Sequence, residues 1–268
     1  MQKQVKGFYE LMLVTGASAN HFEESLSLLR NVRENLLPHL ELKNYTFIYY
    51  DLGLNESQKG EISRKCRCKV LTFPFHLFPE FCSYLKCYTW KPLIVNAHIA
   101  QTQLLFWMDA SIRFFSNFRK FERLLDRARF RGLQSGLARH HIPHTTMTRT
   151  FHFFGDEPCS YLPYRESSSC FWIFHNEYFV RRSVLEPWAA CALDDKCMCP
   201  LHVVDPKVVR TMCRRREGLY HYGVCHRFDQ SAISMIVAKL YQEKYEHILM
   251  PNRREYLEIR RGEKLGRD

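Results

Sequence analysis

An α/β fold with a mostly parallel central sheet flanked by helices is what this sequence predicts, on three observations. Short apolar, β-rich runs alternate with helix-length segments from residue 8 to residue 130, the pattern that yields parallel strands joined by crossover helices. The chain has 268 residues, 46% hydrophobic and 25% charged, enough to bury a sizeable core and too apolar for wholesale disorder. No internal repeat, low-complexity segment or clear linker interrupts it. One domain over residues 1–250 followed by a charged tail over 251–268 is the simplest organisation.

The elements follow in order. Residues 8–15, FYELMLVT, read as the first strand, and Gly16-Ala17-Ser18-Ala19-Asn20 as a small-residue turn. Phe22, Leu26, Leu29, Val32 and Leu36 recur at near-helical spacing, and Pro38 ends that helix. YTFIYY at 45–50 is a second strand ending in Asp51, residues 56–65 a short polar helix, and 69–73 a third strand broken by Pro74 and Pro79. Pro92 suits the first turn of a helix over 93–101. LLFWM at 104–108 reads as a buried strand that ends by delivering Asp109. An amphipathic helix over 118–129 follows, then a strand and loop at 132–138. CFWIFH at 170–175 is a strand, 176–188 a helix, 191–225 a cysteine-rich basic loop and 232–241 an apolar helix; the charged end reads as a frayed tail.

Charge and cysteine content narrow the setting. The net charge is +11, from 39 Lys and Arg against 28 Asp and Glu. Such a surface attracts nucleotide phosphates, acidic glycans, anionic membranes or nucleic acid. No RNA-recognition signature, zinc finger or basic heptad region is visible, so nucleic acid is not expected as a partner. No apolar run reaches the length of a membrane span. Membrane association is expected only through an anchor not present in this chain. Eleven cysteines and two glycosylation sequons, Asn44-Tyr-Thr and Asn55-Glu-Ser, favour an oxidising lumen of the secretory pathway, with disulfides. A zinc site from Cys197, Cys199, His202, Cys213, Cys225 and His226 competes, but Cys-x-Cys is tighter than the usual ligand spacing.

Several acids stand where chemistry is done. Ligands of open α/β sheets bind outside the carboxyl ends of the strands. Asp51 and Asp109 both follow apolar strands. On the segment alone Asp109 is equally a helix cap after a core strand, and Asp229 equally a cap for the helix it precedes. His140, His141, His144 and His152 cluster in a polar, aromatic stretch, where partly buried polar residues are as ordinary as ligands or bases.

Taken in order, LMLVTGASANHF, YYDLGL, YTWKP, FWMDAS, PWAACAL and HRFDQSAI resemble a family of uncharacterised animal proteins grouped with the nucleotide-sugar glycosyltransferases of the GT-A fold. The likeness covers about residues 8 to 245. It implies a single Rossmann-like GT-A domain that transfers a sugar from a nucleoside-diphosphate sugar to a glycan or glycoprotein acceptor, in the Golgi. Such enzymes present an Asp-x-Asp pair after the central strand and hold Mn²⁺ or Mg²⁺ on the donor diphosphate. Here the stretch is Asp109-Ala110-Ser111, so one carboxylate is missing. His226 or a histidine among residues 140–152 would have to complete a site at Asp109; otherwise Lys and Arg serve the phosphates without a metal. The resemblance further implies that Thr15, Gly16, Ala17 and Asp51 hold the nucleoside and that Lys91 and Arg113 contact phosphate. Asp229 and Gln230 would face the sugar or acceptor as catalytic residues. Whether the transfer retains or inverts the sugar's configuration stays open. The Asp-Ala-Ser stretch also allows a non-catalytic binding module on the same fold.

Overall fold

The computed structural model describes residues 5–42, 44–115, 118–199, 213, 222–223, 225–250 and 253–263. The first half alternates as expected. β1 (Tyr9–Ala17) leads to α1 (Phe22–Asn31), which runs on into a wider turn over Val32–Leu36 before Pro38. β2 (Tyr45–Asp51), α2 (Glu56–Lys65), β3 (Lys69–Thr72), α3 (Trp90–His98), β4 (Thr102–Met108) and β5 (Ile112–Phe114) follow. Next come α4 (Phe118–Arg131), β6 (Leu133–His141), α5 (Thr148–Phe153), β7 (Arg165–His175) and α6 (Glu186–Ala192). The C-terminal elements are α7 (Asp229–Tyr241), α8 (Tyr245–Ile248), β8 (Leu249–Met250) and β9 (Leu257–Ile259).

The central sheet has seven strands in the order β3-β2-β1-β4-β7-β6-β8. Strands β1 to β4 pair in parallel, β7 pairs antiparallel with both β4 and β6, and β8 lies parallel to β6. The sheet is therefore mostly parallel, with β7 reversed. Both faces are covered, which is why the parallel strands read as near-continuous apolar runs. Alternation sorts each strand: Met12 and Val14, Ile48 and Tyr50, Leu105 and Trp107 face α3, α6 and α7. Leu11 and Leu13, Phe47 and Tyr49, and Leu104, Phe106 and Met108 face α1, α2 and α4. All five residues of Leu104–Met108 are fully buried, each contributing roughly 1.5–3 kcal/mol relative to exposure.

The structure departs from the sequence reading in three places. β1 continues through Gly16 and Ala17 instead of turning there. The reason is packing: Gly16 lies opposite Tyr50, and a Cβ on it would come within 3.1 Å of the Tyr50 carbonyl oxygen and Cβ. β7 begins at Arg165, so the polar run Arg165-Glu166-Ser167-Ser168-Ser169 extends the strand past the end of β4, where Met108 pairs with Phe171. The stretch expected to fray instead carries β9, which pairs antiparallel with β5 through Ile112–Ile259 and Phe114–Leu257. Leu257 is fully buried, so an apolar anchor holds this segment.

Four disulfides are present: Cys66–Cys68, Cys87–Cys199, Cys191–Cys197 and Cys213–Cys225. Their Cα separations of 4.6–5.3 Å lie within the range that disulfides span. They consume Cys197, Cys199, Cys213 and Cys225, which removes the thiolates a zinc site would need; His202 lies outside the described residues. Cys82, Cys159 and Cys170 are free thiols. Among the described residues no helix is long and apolar enough to cross a membrane.

Candidate functional site

Asp109 follows β4 by one residue, and strand alternation aims it at the same face as Leu105 and Trp107. The Trp107 Nε1–H confirms the direction by donating to Asp109 Oδ1 at 3.0 Å. That face is where α3 and α7 pack, and each brings one charged group. The Lys91 Nζ lies 3.1 Å from Asp109 Oδ1 and 2.9 Å from Asp229 Oδ2. It also donates to the Ser169 carbonyl at 3.1 Å. Lys91 and Asp229 are 1% and 3% exposed, whereas the Asp109 side chain keeps 30% of its surface open. Rings of Tyr88, Trp90 and Trp107 stand 5.5–6.0 Å from the ammonium, where their negative faces favour a cation. Burial works to lower the Lys91 pKa, but the two carboxylates outweigh it and the net shift is upward, so Lys91 stays charged.

Backbone strain frames this ion cluster. Tyr88, three residues before Lys91, has φ 56°, and Phe228, immediately before Asp229, has φ 52° with ψ −116°. Positive φ at bulky residues costs on the order of 1–3 kcal/mol and persists where the surroundings over-determine it. Their rings meet at 6.1 Å, and the Trp188 indole donates to the Asp229 carbonyl at 3.1 Å. Two strained aromatic residues thus fix where α3 and α7 deliver Lys91 and Asp229.

Next to the cluster lies a group that sequence reasoning missed. Glu166 is fully buried on the extension of β7. Its Oε2 accepts from Gln230 Nε2 at 2.9 Å and from Arg227 at 3.2 Å. Burial pushes its carboxyl up to about 8 against the opposing pull of Arg227 and Gln230. The signal available was an acid beside three serines that run directly into an apolar strand. Because the folded pKa exceeds the ordinary value, the folded state binds the extra proton between about 4.5 and 8, and stability falls as pH rises through that window. Glu166→Gln, which keeps an acceptor for Gln230, is expected to flatten that decline in urea unfolding at pH 5 against pH 8. An unchanged pH slope would contradict the assignment. Arg261, read as tail, is also here, 3.9 Å from the buried Cys170 Sγ.

Other expected site residues are placed elsewhere or are already engaged. Thr15, in β1, is fully buried on the α1 and α2 side with its hydroxyl unpartnered, and Ala17 is buried beside it. Asp51 ends β2 on that same opposite face. Its Oδ1 accepts from Gly53 N at 2.8 Å and Leu54 N at 2.7 Å, and Lys59 approaches Oδ2 at 3.4 Å. Asp51 and Asp109 flank β1 two strand spacings apart, roughly 10 Å, but point to opposite faces, so the expected convergence of Thr15 and Asp51 on Asp109 does not occur. Asp51 shapes the loop after β2, where Gly53 sits at φ 119°. Asp51→Ala is expected to cost about 1–3 kcal/mol in urea unfolding, because the buried Leu54 amide and the amide of the exposed Gly53 lose a charged acceptor; a loss under about 0.5 kcal/mol would show the loop holds without it.

Arg113, expected on phosphate, is 4% exposed and spent within the fold. It bonds Glu263 at 2.6 Å, the Ala110 and Ile112 carbonyls at 2.7 Å each, and the Glu24 carbonyl at 3.1 Å. It is a brace between α1, β5 and the C-terminal segment. Lys91 is likewise held within the fold, paired with two carboxylates and donating to the Ser169 carbonyl, so its geometry is that of a bridge between carboxylates and not of a phosphate contact.

Among the described residues the donors around Asp109 do not fit a divalent cation. His226, the expected second ligand, is 3% exposed; its Nδ1 accepts from Met147 N at 3.4 Å and its Nε2 faces the Met198 carbonyl at 3.2 Å. Burial pushes its pKa down to about 4 and keeps it neutral. His141 bonds the Leu162 carbonyl at 2.9 Å, and His144 stacks on Tyr222 at 5.1 Å. Among the described residues no group of three or more His, Cys, Asp or Glu side chains could hold a metal ion. The place between the two carboxylates is taken by an ammonium.

Comparison with known proteins gives context. A family profile described as "Protein of unknown function (DUF1647)" matches residues 1–96. No curated protein matches this chain in sequence. Solved structures similar in fold are glycosyltransferases of the GT-A class. The galactosyltransferase LgtC with donor and acceptor sugar analogues is 13% identical, TM-score 0.46, over 80% of this chain and 72% of that one. Core-mannan synthase A of Aspergillus fumigatus in a Mn/GDP form is 13% identical, TM-score 0.46, over 85% and 69%. Mouse xyloside xylosyltransferase 1 is 13% identical, TM-score 0.42, over 91% and 94%. At this level of identity and score the likeness assigns no residue a role.

Proposed function

We propose that this protein is a glycosyltransferase that takes a sugar from a nucleoside-diphosphate sugar and passes it to a glycan or glycoprotein acceptor. The observation that supports the reading is the Asp109–Lys91–Asp229 cluster, where the carboxyl end of β4 meets α3 and α7 on a mostly parallel sheet. Ligands of such sheets bind at that edge. Asp109 is the partly open member, and it is the group placed to meet the donor. Lys91 and Asp229 hold it in position, and Arg261 is the nearby cation for the charge that grows on the leaving diphosphate. Gln230 is the polar group on the sugar or acceptor side, held from behind by the buried Glu166, which carries a proton near neutrality. The described donors around Asp109 do not suit a metal ion, so in this reading the diphosphate charge falls to Arg261. The four disulfides support an oxidising compartment, the secretory pathway lumen, and within it the Golgi as the place where glycan acceptors are met.

A non-catalytic module on this fold is the second reading. It is favoured by Ser111 standing where a second acid is expected and by the Lys91 ammonium being held between two carboxylates. The two separate in titration calorimetry of the oxidised protein with a panel of nucleotide-sugars, with and without manganese, alongside Asp109→Asn. The transferase reading expects one donor to bind without manganese, to weaken about tenfold or more in the variant, and to be turned over with a glycan acceptor. Donor binding without turnover would mark the module, and no binding by any donor would remove the transferase reading.

A further inference from the structure

The surface of α4 carries a feature that the ion cluster does not use. Its sequence holds six basic residues against two acids over Phe118–Arg131. Its apolar stripe of Phe121, Leu124, Leu125 and Ala128 is fully committed to the core. What remains outward is a shallow, open groove lined by Arg123, Asp126, Arg127, Phe130, Arg131 and Tyr256. Arg123, Arg127 and Arg131 are four residues apart and so recur about every 6 Å along one face. Two are pre-set: Arg127 Nε donates to Gln134 Oε1 at 3.0 Å, and Arg131 donates to the His247 carbonyl. Burial and the neighbouring Arg127 charge both disfavour the Arg131 cation, a cost that a bound anion would relieve. Asp126, the acid in the lining, is turned to Arg129 at 2.7 Å. Phe130 is 89% exposed.

We infer that this open basic groove binds an anionic saccharide, a glycan bearing carboxylate or sulfate groups. Three guanidiniums with fork geometry suit such groups. The rings of Phe130 and Tyr256 supply flat apolar faces on which the C–H side of a sugar ring packs. A bilayer is disfavoured because the apolar face a surface helix would insert is already buried against the core. The inference does not rest on the transferase reading, since none of the lining residues belongs to the Asp109 cluster.

The test is calorimetric titration with a size-defined heparin octasaccharide, its desulfated counterpart, a short DNA duplex and phosphatidylserine vesicles. Arg123→Ala and Phe130→Ala are the variants, both at exposed positions where folding is little affected. Heparin octasaccharide is expected to bind and the desulfated form to bind at least about tenfold more weakly. Arg123→Ala should weaken heparin about tenfold and lower its salt slope by about one, and Phe130→Ala should weaken it several-fold without changing the slope. Absence of heparin binding would overturn the inference. So would DNA or vesicle binding as tight as heparin, or a Phe130→Ala protein that binds heparin as wild type, because each describes an unselective cationic surface.

Discussion

Lys91→Met is expected to lower the unfolding free energy by about 3–5 kcal/mol, the largest loss we anticipate from one side chain. The cost comes less from the contacts removed than from what they leave behind. Asp229 is 3% exposed and its carboxylate pairs with Lys91 at 2.9 Å. Without the ammonium, Asp229 and Asp109 face each other with no cation between them in a setting walled by Trp90 and Trp107. One carboxylate must then take a proton, so the variant's deficit should shrink as pH falls from 7 to 5, because protonation then stabilises its folded form. A double variant, Lys91→Met with Asp229→Asn, removes the uncompensated charge and should recover at least about 1 kcal/mol relative to additivity. Urea unfolding of the two single variants and the double variant at both pH values checks this. Additive losses, or a single-variant cost below about 1 kcal/mol, would mean the cluster is not a closed ion network. The same variant should also abolish any donor binding that depends on Asp109, since it removes the group that fixes that carboxylate.

How much of this was readable before the structure varies by element, for physical reasons. The strands β1, β2 and β4 were legible because both their faces are covered and their apolar runs are uninterrupted. Asp109 was legible for the same reason: a single charge ends a fully apolar strand. The partnership of Lys91 with Asp109 and Asp229 was not, because 138 residues of chain separate Lys91 from Asp229 and no local pattern encodes that contact. Parity misled for Asp51. It follows a strand just as Asp109 does, but its register places it on the other face, and two backbone amides take its carboxylate. Arg113 and the last strand show the limit of charge as a guide. A run of Arg and Glu reads as solvated, yet Leu257 buries and Arg113 locks onto Glu263. Glu166 was hidden by its company, since an acid amid serines looks solvent-facing until the strand's extension past β4 is known.

The other large expectation concerns covalent closure. Removing Cys87–Cys199 by Cys87→Ser with Cys199→Ser is expected to cost about 4–5 kcal/mol, and removing Cys66–Cys68 only about 1–2 kcal/mol. The difference follows from the loops closed, with sequence separations of 112 and 2: the chain-entropy model scales the constraint on the unfolded state with the logarithm of loop length. The Cys87 bridge also has a local consequence that the Cys66 bridge lacks. Cys87 directly precedes the strained Tyr88 and stands four residues before Lys91. Its release removes one of the constraints that hold α3 against the carboxylates. Guanidinium unfolding of the two double variants, compared with wild type under oxidising conditions, measures the thermodynamic part. A nucleotide-sugar titration of the folded Cys87 variant measures the local part, expected as weaker binding at a temperature where the variant is still fully folded. Equal losses for the two bridges would show that native-state geometry, and not loop length, decides their worth. Undiminished ligand binding in the folded Cys87 variant would show that Tyr88 and Lys91 keep their places without the covalent tie.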